Sequence, residues 1–258
     1  MCRDHTHADM IGTVRNRRLT SEIMDDPAVD RTQLDHALGF IRGINKRLGG
    51  VKALIENLER WSPDWPKDRP VSLLDIGTGS ADLPLEARRW AQTRGFDLRI
   101  TGLDLHATTL ELARDHIASE PELAEGIELV LGDARRLTET FDPGSFDYVH
   151  AGMFLHHLKK EVQILTVLRM MDRIARRGII WNDLIRSRRG AVVINLLTLG
   201  RDEIIRHDAR VSVAAGFTKS EVLDFANRVD LDYCQYRWSL LANRFTLAGQ
   251  RPDAWDPE

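Results

Sequence analysis

Two glycines and three acids raise the first chemical question. The stretch LLDIGTGSADLPL, residues 73 to 85, ends an apolar run in Gly77 and Gly79 and then meets Asp82. Glycines at such a place permit a tight turn and close approach of backbone to a ligand. A dinucleotide turn, G-x-G-x-x-G, would carry its last glycine at position 82, near the start of the next helix. A carboxylate there repels a pyrophosphate lodged on the helix N-terminus, whereas it attracts a sulfonium or an ammonium. The turn therefore favours a cofactor bearing cationic groups over NAD or ATP. Asp104 and Asp133 close two later apolar runs, DLRITGLDL and IELVLGD. The first is placed to accept hydrogen bonds from both hydroxyls of a ribose, the second to hold an adenine amino group. Singly, each acid reads equally well as a helix cap or loop carboxylate. Their joint placement at successive strand ends is what argues for a site.

The elements that position these residues are legible in the apolar periodicity. Leu34, Leu38, Ile41, Ile44 and Leu48 recur at helical spacing, as do Val51, Leu54, Ile55 and Leu58, with Gly49 and Gly50 separating two helices. WSPDWPKDRP, residues 61 to 70, ends that region with three prolines. Strand patterns follow at VSLLDIG, DLRITGLDL, IELVLGD, FDYVHAG and GIIWND. Helical patterns fall at 82 to 93, 107 to 118, 158 to 175 and 218 to 229. This alternation predicts a parallel sheet with helices on both faces, its ligands at the carboxyl edge of the strands. LDYCQYRWSL and NRFTLAGQ, joined by a short turn, predict a closing antiparallel hairpin. The division expected is a mobile tail over 1–20, a helical cap over 21–66 and an α/β domain over 67–258, with an insertion at 185–217.

Bulk composition narrows the class. At 43% hydrophobic and 29% charged residues the chain is a globular protein with a sizeable core. A net charge of −3 gives no general pull toward nucleic acid or acidic membranes. Arg15, Arg17 and Arg18, and Arg186, Arg188 and Arg189, read as solvated surface. Cys2 and Cys234 make neither a metal-ligand spacing nor a disulfide framework. No secretory signal is read at the start, and GAVVINLLTLG is about half a membrane span. A cytoplasmic location is the simplest expectation, with peripheral membrane contact through RSRRG left open.

LLDIGTGSAD, GLDL, GDARRL and FDYVHAGMFLHHL resemble the successive motifs of class I S-adenosylmethionine-dependent methyltransferases, over about residues 71 to 185. The resemblance implies a Rossmann-like sheet of seven strands, mostly parallel with an antiparallel last strand. S-adenosyl-L-methionine is then the cofactor. Asp75, Gly77, Thr78, Gly79 and Asp82 would line its methionine side, and Asp104 with Leu105 the ribose. Asp133 and Ala134 would address the adenine, and Ala151 and Gly152 would pass under the methionine moiety. Ala81 departs from the pattern, since many members carry a third glycine there. GINKRLGGVKALI and HDARVSVAAGFTKSEVLDFANRVDLDY are similar to the flanks of the quinone-biosynthesis (UbiE-like) branch.

Methyl transfer to oxygen or carbon needs alignment and the removal of a proton, which a histidine tuned near neutral pH can supply. The candidates are His156 and His157 after the fourth strand, and His207 beside Asp208. Against this, the LHH position of many relatives packs structurally or holds the loop. Asn182 and Asp183, ending the fifth strand, are candidates to hydrogen-bond the acceptor. No Asp/Asn-Pro-Pro-aromatic motif follows the fourth strand, which disfavours base methylation. Asp183 alone does not make the carboxylate cluster of metal-dependent catechol enzymes, so metal-free transfer is expected. AVVINLLTLG, with the cap helices, suits a lipophilic acceptor such as a quinone or polyketide. The alternatives left open are a protein or RNA methyltransferase and a cofactor-binding regulator without turnover. Oligomeric state is not addressed by the sequence.

Overall fold

In the computed structural model, which describes residues 16–239 and 241–252, the strand patterns assemble into one sheet. Its strands are β1 (Val71–Ile76), β2 (Leu98–Asp104), β3 (Ile127–Leu131), β4 (Phe146–Gly152), β5 (Ala175–Leu184), β6 (Gln235–Ser239) and β7 (Arg244–Gln250). Their spatial order is β3-β2-β1-β4-β5-β7-β6. β1 to β5 run parallel, and β7 is antiparallel to both of its neighbours. This is the Rossmann-like methyltransferase arrangement expected, with the last strand inserted between β5 and β6. The order reverses between β1 and β4, whose ends pair Ile76 with Ala151. That crevice is where open α/β sheets take their ligands. It brings the glycine turn after β1 beside Gly152 at the end of β4.

Side-chain alternation explains why the sheet is covered on both faces. Leu73, Tyr148 and Ile180 face Leu54, Leu58 and Trp61 of α2 (Gly50–Trp61) and Ala87 of α3 (Asp82–Arg94). Leu74, Val149, Ile179 and Trp181 face the opposite way. They meet Ile164, Leu168 and Met171 of α6 (Glu161–Ile174) and Val222 and Phe225 of α9 (Lys219–Arg228). α4 (Ala107–Ala118) and the short α5 (Pro121–Ala124) connect β2 to β3. The helix expected at 158–175 begins only at Glu161, because a 3-10 turn at Leu155–His157 precedes it, and ends at Ile174, where β5 begins.

α1 (Arg31–Arg47) lies across the carboxyl edge of the sheet. Asp30 starts it by accepting from the backbone N–H groups of Thr32 and Gln33. Leu34 and Leu38, one turn apart, pack on Leu112 of α4, and Ala37 packs on Ile204 and Ile205 of α8 (Glu203–Ala215). The expected insertion is thus α7 (Arg188–Leu197) plus α8, and it closes over the site together with α1. Among the described residues no helix is long and apolar enough to cross a membrane.

Two expectations about arginines and the tail are corrected. Residues 1–15, including Arg15, lie outside the described residues. Arg17, however, is docked: its Nε donates to the Ala215 carbonyl at 2.7 Å, and its guanidinium sits 4.4 Å from the centre of the Phe217 ring. Arg186 is buried rather than solvated and pairs with Glu221 at 2.8 Å. Arg188 and Arg189 are exposed as expected.

Candidate active site

The turn after β1 is built around three alternate left-handed residues, Gly77 (φ 68°), Gly79 (φ 55°) and Ala81 (φ 58°). A Cβ on Gly77 would lie 2.7 Å from the Phe154 ring, so only glycine fits between that ring and the turn. Ala81 occupies the third-glycine place in a backbone conformation that disfavours a side chain, a cost of about 1 kcal/mol. The backbone N–H groups of Gly77 and Thr78 both donate to the Leu103 carbonyl, at 2.8 and 3.1 Å. Beneath the turn, Thr78 Oγ1 donates to Asp75 at 2.8 Å, and the other Asp75 oxygen meets His150 Nδ1 at 2.6 Å. Asp75 is therefore a support of the turn, its carboxylate already engaged on both oxygens. His150, which the sequence reading passed over, is its buried partner.

Asp104 accepts from the backbone N–H of Gly79 at 3.1 Å and of His106 at 3.0 Å. Asp82 opens α3 and accepts from Asn45 Nδ2 at 3.0 Å. Burial raises the pKa of both acids above the ordinary carboxylate range, and these hydrogen bonds pull the other way. Among the described residues neither acid has an ion-pair partner. Half-buried carboxylates with no cation beside them match a ligand that brings an ammonium, a sulfonium and sugar hydroxyls. Asp133 differs, because Arg135 takes both of its oxygens and holds its pKa down. Gly152, Leu105 and Ala134 line the same cavity, whereas Ala151 is buried inside β4, facing the core cluster.

That cavity, of about 730 Å³, continues from the glycine turn to a second group of polar residues under α1 and α8. His156 is buried, and its Nδ1 meets Asp183 at 2.7 Å. Its Nε2 has no hydrogen-bond partner and lies 3.4 Å from Glu22. His157 Nδ1 meets Asp25 at 3.0 Å, and the two imidazoles stand 4.3 Å apart. Glu22 also accepts from the Ser212 hydroxyl at 2.6 Å. Burial opposes charge on all of these groups, but their mutual attraction outweighs it. Glu22 is held down at about 2 and His157 is pushed up to about 10, while Asp183 is lowered and His156 raised.

Several predicted roles change accordingly. The carboxylates of Glu22 and Asp25 favour the charged form of His157 against burial, so it is no free base until a competing cation displaces that proton. His207 does not line the cavity; its Nδ1 lies 2.8 Å from Asp208, whose carboxylate accepts from the backbone of Ile23 and Met24. Asn182 and Asp183 are not on the cavity wall. Asn182 donates to the Phe245 carbonyl at 2.7 Å and accepts from Arg244 at 3.0 Å, while Asp183 orients His156. Arg244 also donates to Asn45 at 2.8 Å, completing a chain from β7 through α1 to Asp82. Glu22, Asp25, Asn45 and Arg244 were not singled out beforehand, since nothing in their spacing marks them.

Comparisons with known proteins agree with this geometry. Residues 73–178 match the family model described as a methyltransferase domain. An S-adenosyl-L-methionine-dependent methyltransferase structure from Methanococcus maripaludis is similar at a TM-score of 0.56 and 18% identity, over 96% of this chain and 99% of that one. Magnesium protoporphyrin IX methyltransferase from Synechocystis PCC 6803, with bound SAH, is similar at 0.55 and 15% identity, over 86% and 100%. The CurJ carbon methyltransferase is similar at 0.59 and 14% identity over 86% of this chain, which spans 61% of that longer one. No curated protein matches the sequence.

Proposed function

We propose that this chain, whose residues 73–178 match a methyltransferase domain, is a class I S-adenosylmethionine-dependent methyltransferase that methylates an oxygen or carbon of a small, lipophilic or aromatic acceptor of quinone or polyketide type. The observation that carries this reading is the single cavity joining the glycine turn to the Glu22–His156–His157 group. Beside that group the α1, α7 and α8 side of the wall is largely apolar, from Phe40, Ile41, Ile44, Ile194, Ile205 and Val213. Such a wall with a few convergent polar groups fits an organic acceptor of modest size. The flanks similar to the quinone-biosynthesis branch support the same acceptor class. The names of the similar structures, a carbon methyltransferase and a porphyrin methyltransferase, agree with a small acceptor.

When bound, S-adenosylmethionine supplies an electrophilic methyl group on a cationic sulfur. Asp104 would accept from its ribose, Asp82 would receive its amino-acid end, and Gly152 would allow close approach from β4. The apolar wall aligns the acceptor and excludes water, which is the main demand of an in-line displacement. The two imidazoles, whose charged forms are favoured, would receive the acceptor's oxygen as an anion whose proton has left to solvent before the acceptor enters. In that displacement a new bond to the methyl carbon would form as the carbon–sulfur bond breaks, the electron pair going to sulfur.

A screen of phenolic and quinone-type acceptors with isotopically labelled methyl donor tests the proposal. Transfer to at least one acceptor, lost in Glu22→Gln while calorimetric cofactor binding persists, is the expected result. Absence of cofactor binding would sink the reading. Binding without consumption by any acceptor would favour the regulator instead.

A further inference from the structure

The polar group at the acceptor end has the donor set of a metal site. One donor atom from each of Glu22, His156 and His157 lies within 4.8 Å of the others, and all three residues line the cavity. Each imidazole gives its Nδ1 to a carboxylate, His156 to Asp183 at 2.7 Å and His157 to Asp25 at 3.0 Å. That second bond is what orients metal-ligating histidines and leaves Nε2 as the electron donor. His156 Nε2 is buried, has no hydrogen-bond partner, and points at Glu22 across 3.4 Å. This separation is the edge of a tetrahedron whose bonds to a central ion are about 2.1 Å. A direct hydrogen bond between the two would be about half an ångström shorter. Ser212, donating to Glu22 at 2.6 Å, fixes the carboxylate in turn.

We propose that Glu22, His156 and His157 bind one divalent transition-metal ion of zinc-like, borderline softness, with its fourth position open to the cavity. Two imidazoles and a carboxylate suit such an ion and leave a coordination place for water or an oxygen of the acceptor. The role of that fourth position rests on the methyltransferase reading above; the binding of the ion does not. As a Lewis acid the ion would favour the anionic form of an acceptor hydroxyl, making it the better nucleophile.

The test uses the full-length, untagged chain, stripped with a chelator and titrated with Co2+ while visible absorption is followed. One equivalent per chain with the intense bands of tetrahedral Co2+, displaced by Zn2+, is the expected result. Glu22→Gln and His157→Gln should each abolish the signal. Asp25→Asn, a positioning change at a partly exposed side chain, should weaken binding about tenfold or more. His207→Ala, outside the cavity, should leave it unchanged. Absence of a saturable signal overturns the site. So does a signal that survives both ligand substitutions, which would mark adventitious surface binding. Cofactor binding by calorimetry is measured on every variant and confirms that it is folded. Full methyl transfer by chelator-treated protein with no Co2+ signal removes the metal and leaves the methyltransferase reading intact. Stoichiometric Co2+ binding without cofactor binding removes the acceptor role and leaves the metal site intact.

Discussion

Asp82 and Asp104 show how a binding residue is stored in a tense state. Each is a half-buried acid whose pKa is raised above its ordinary 3.8, chiefly by loss of solvent. A folded-state pKa above the unfolded value means the stabilising contribution is present below 3.8 and lost as pH rises through the folded value. At neutral pH both acids therefore cost stability that a cationic ligand returns. Asp82→Asn should raise the melting temperature of the ligand-free protein while weakening cofactor binding, both read by thermal melting with and without cofactor. An unchanged melting temperature would contradict the assignment. Binding of wild-type protein should also weaken as pH falls through the raised pKa values, because the acids then hold protons that the ligand must displace. Calorimetry from neutral to mildly acidic pH measures this. Asp104→Ala removes a charged acceptor for the ribose and should cost about 3 kcal/mol, roughly a hundredfold in Kd.

At the scale of elements, the turn after β1 and the lid helix α1 are coupled through Asp82. Gly77→Ala places a methyl group within 2.7 Å of Phe154 at a φ of 68° and should cost about 2 kcal/mol or more, with loss of cofactor binding. Asn45 links Arg244 on β7 to Asp82 on α3 by two hydrogen bonds of 2.8 and 3.0 Å. Arg244 is fully enclosed, and burial lowers its pKa to about 10. Asn45→Ala leaves both charged groups short of a partner. The expected loss is about 2–3 kcal/mol in urea unfolding, accompanied by a higher KM for cofactor. A stability loss with unchanged KM would mean the clasp holds α1 without shaping the cofactor site.

Across the whole molecule, the two ends of the cavity come from different parts of the chain. The cofactor end is built by loops at the carboxyl edge of β1, β2, β3 and β4, all close together in sequence. The acceptor end is assembled from Glu22 and Asp25 ahead of α1, the turn after β4, the end of β5, and α8. A chain starting at Asp30 keeps the cap of α1 and the whole sheet but loses Glu22, Asp25 and the docked Arg17. It should retain cofactor binding by calorimetry and lose methyl transfer. Retained transfer would show that the segment before α1 is not part of the acceptor site.

The proposed cofactor side is legible in the amino-acid order as a position, because the turn and strand ends that form it are local. Alternating strand and helix patterns determine where the carboxyl edge falls, and the residues just after each strand must then lie on it. Gly77, Gly79, Asp82 and Asp104 follow from that rule without any knowledge of packing. The acceptor side depends on contacts between separate elements, those to Glu22 and Asp25 spanning more than a hundred positions. His156 meets Glu22 and Asp183, and His157 meets Asp25. No period or spacing encodes such pairings, so Asn182 and Asp183 were read as substrate contacts and Glu22 was not read at all. Only the tertiary structure decided that Asp183 stands behind a histidine, that His207 lies off the cavity wall, and that Glu22, at the start of the expected cap, completes the cluster. Burial is the reason, since it alone determines which polar groups must find one another once water is gone.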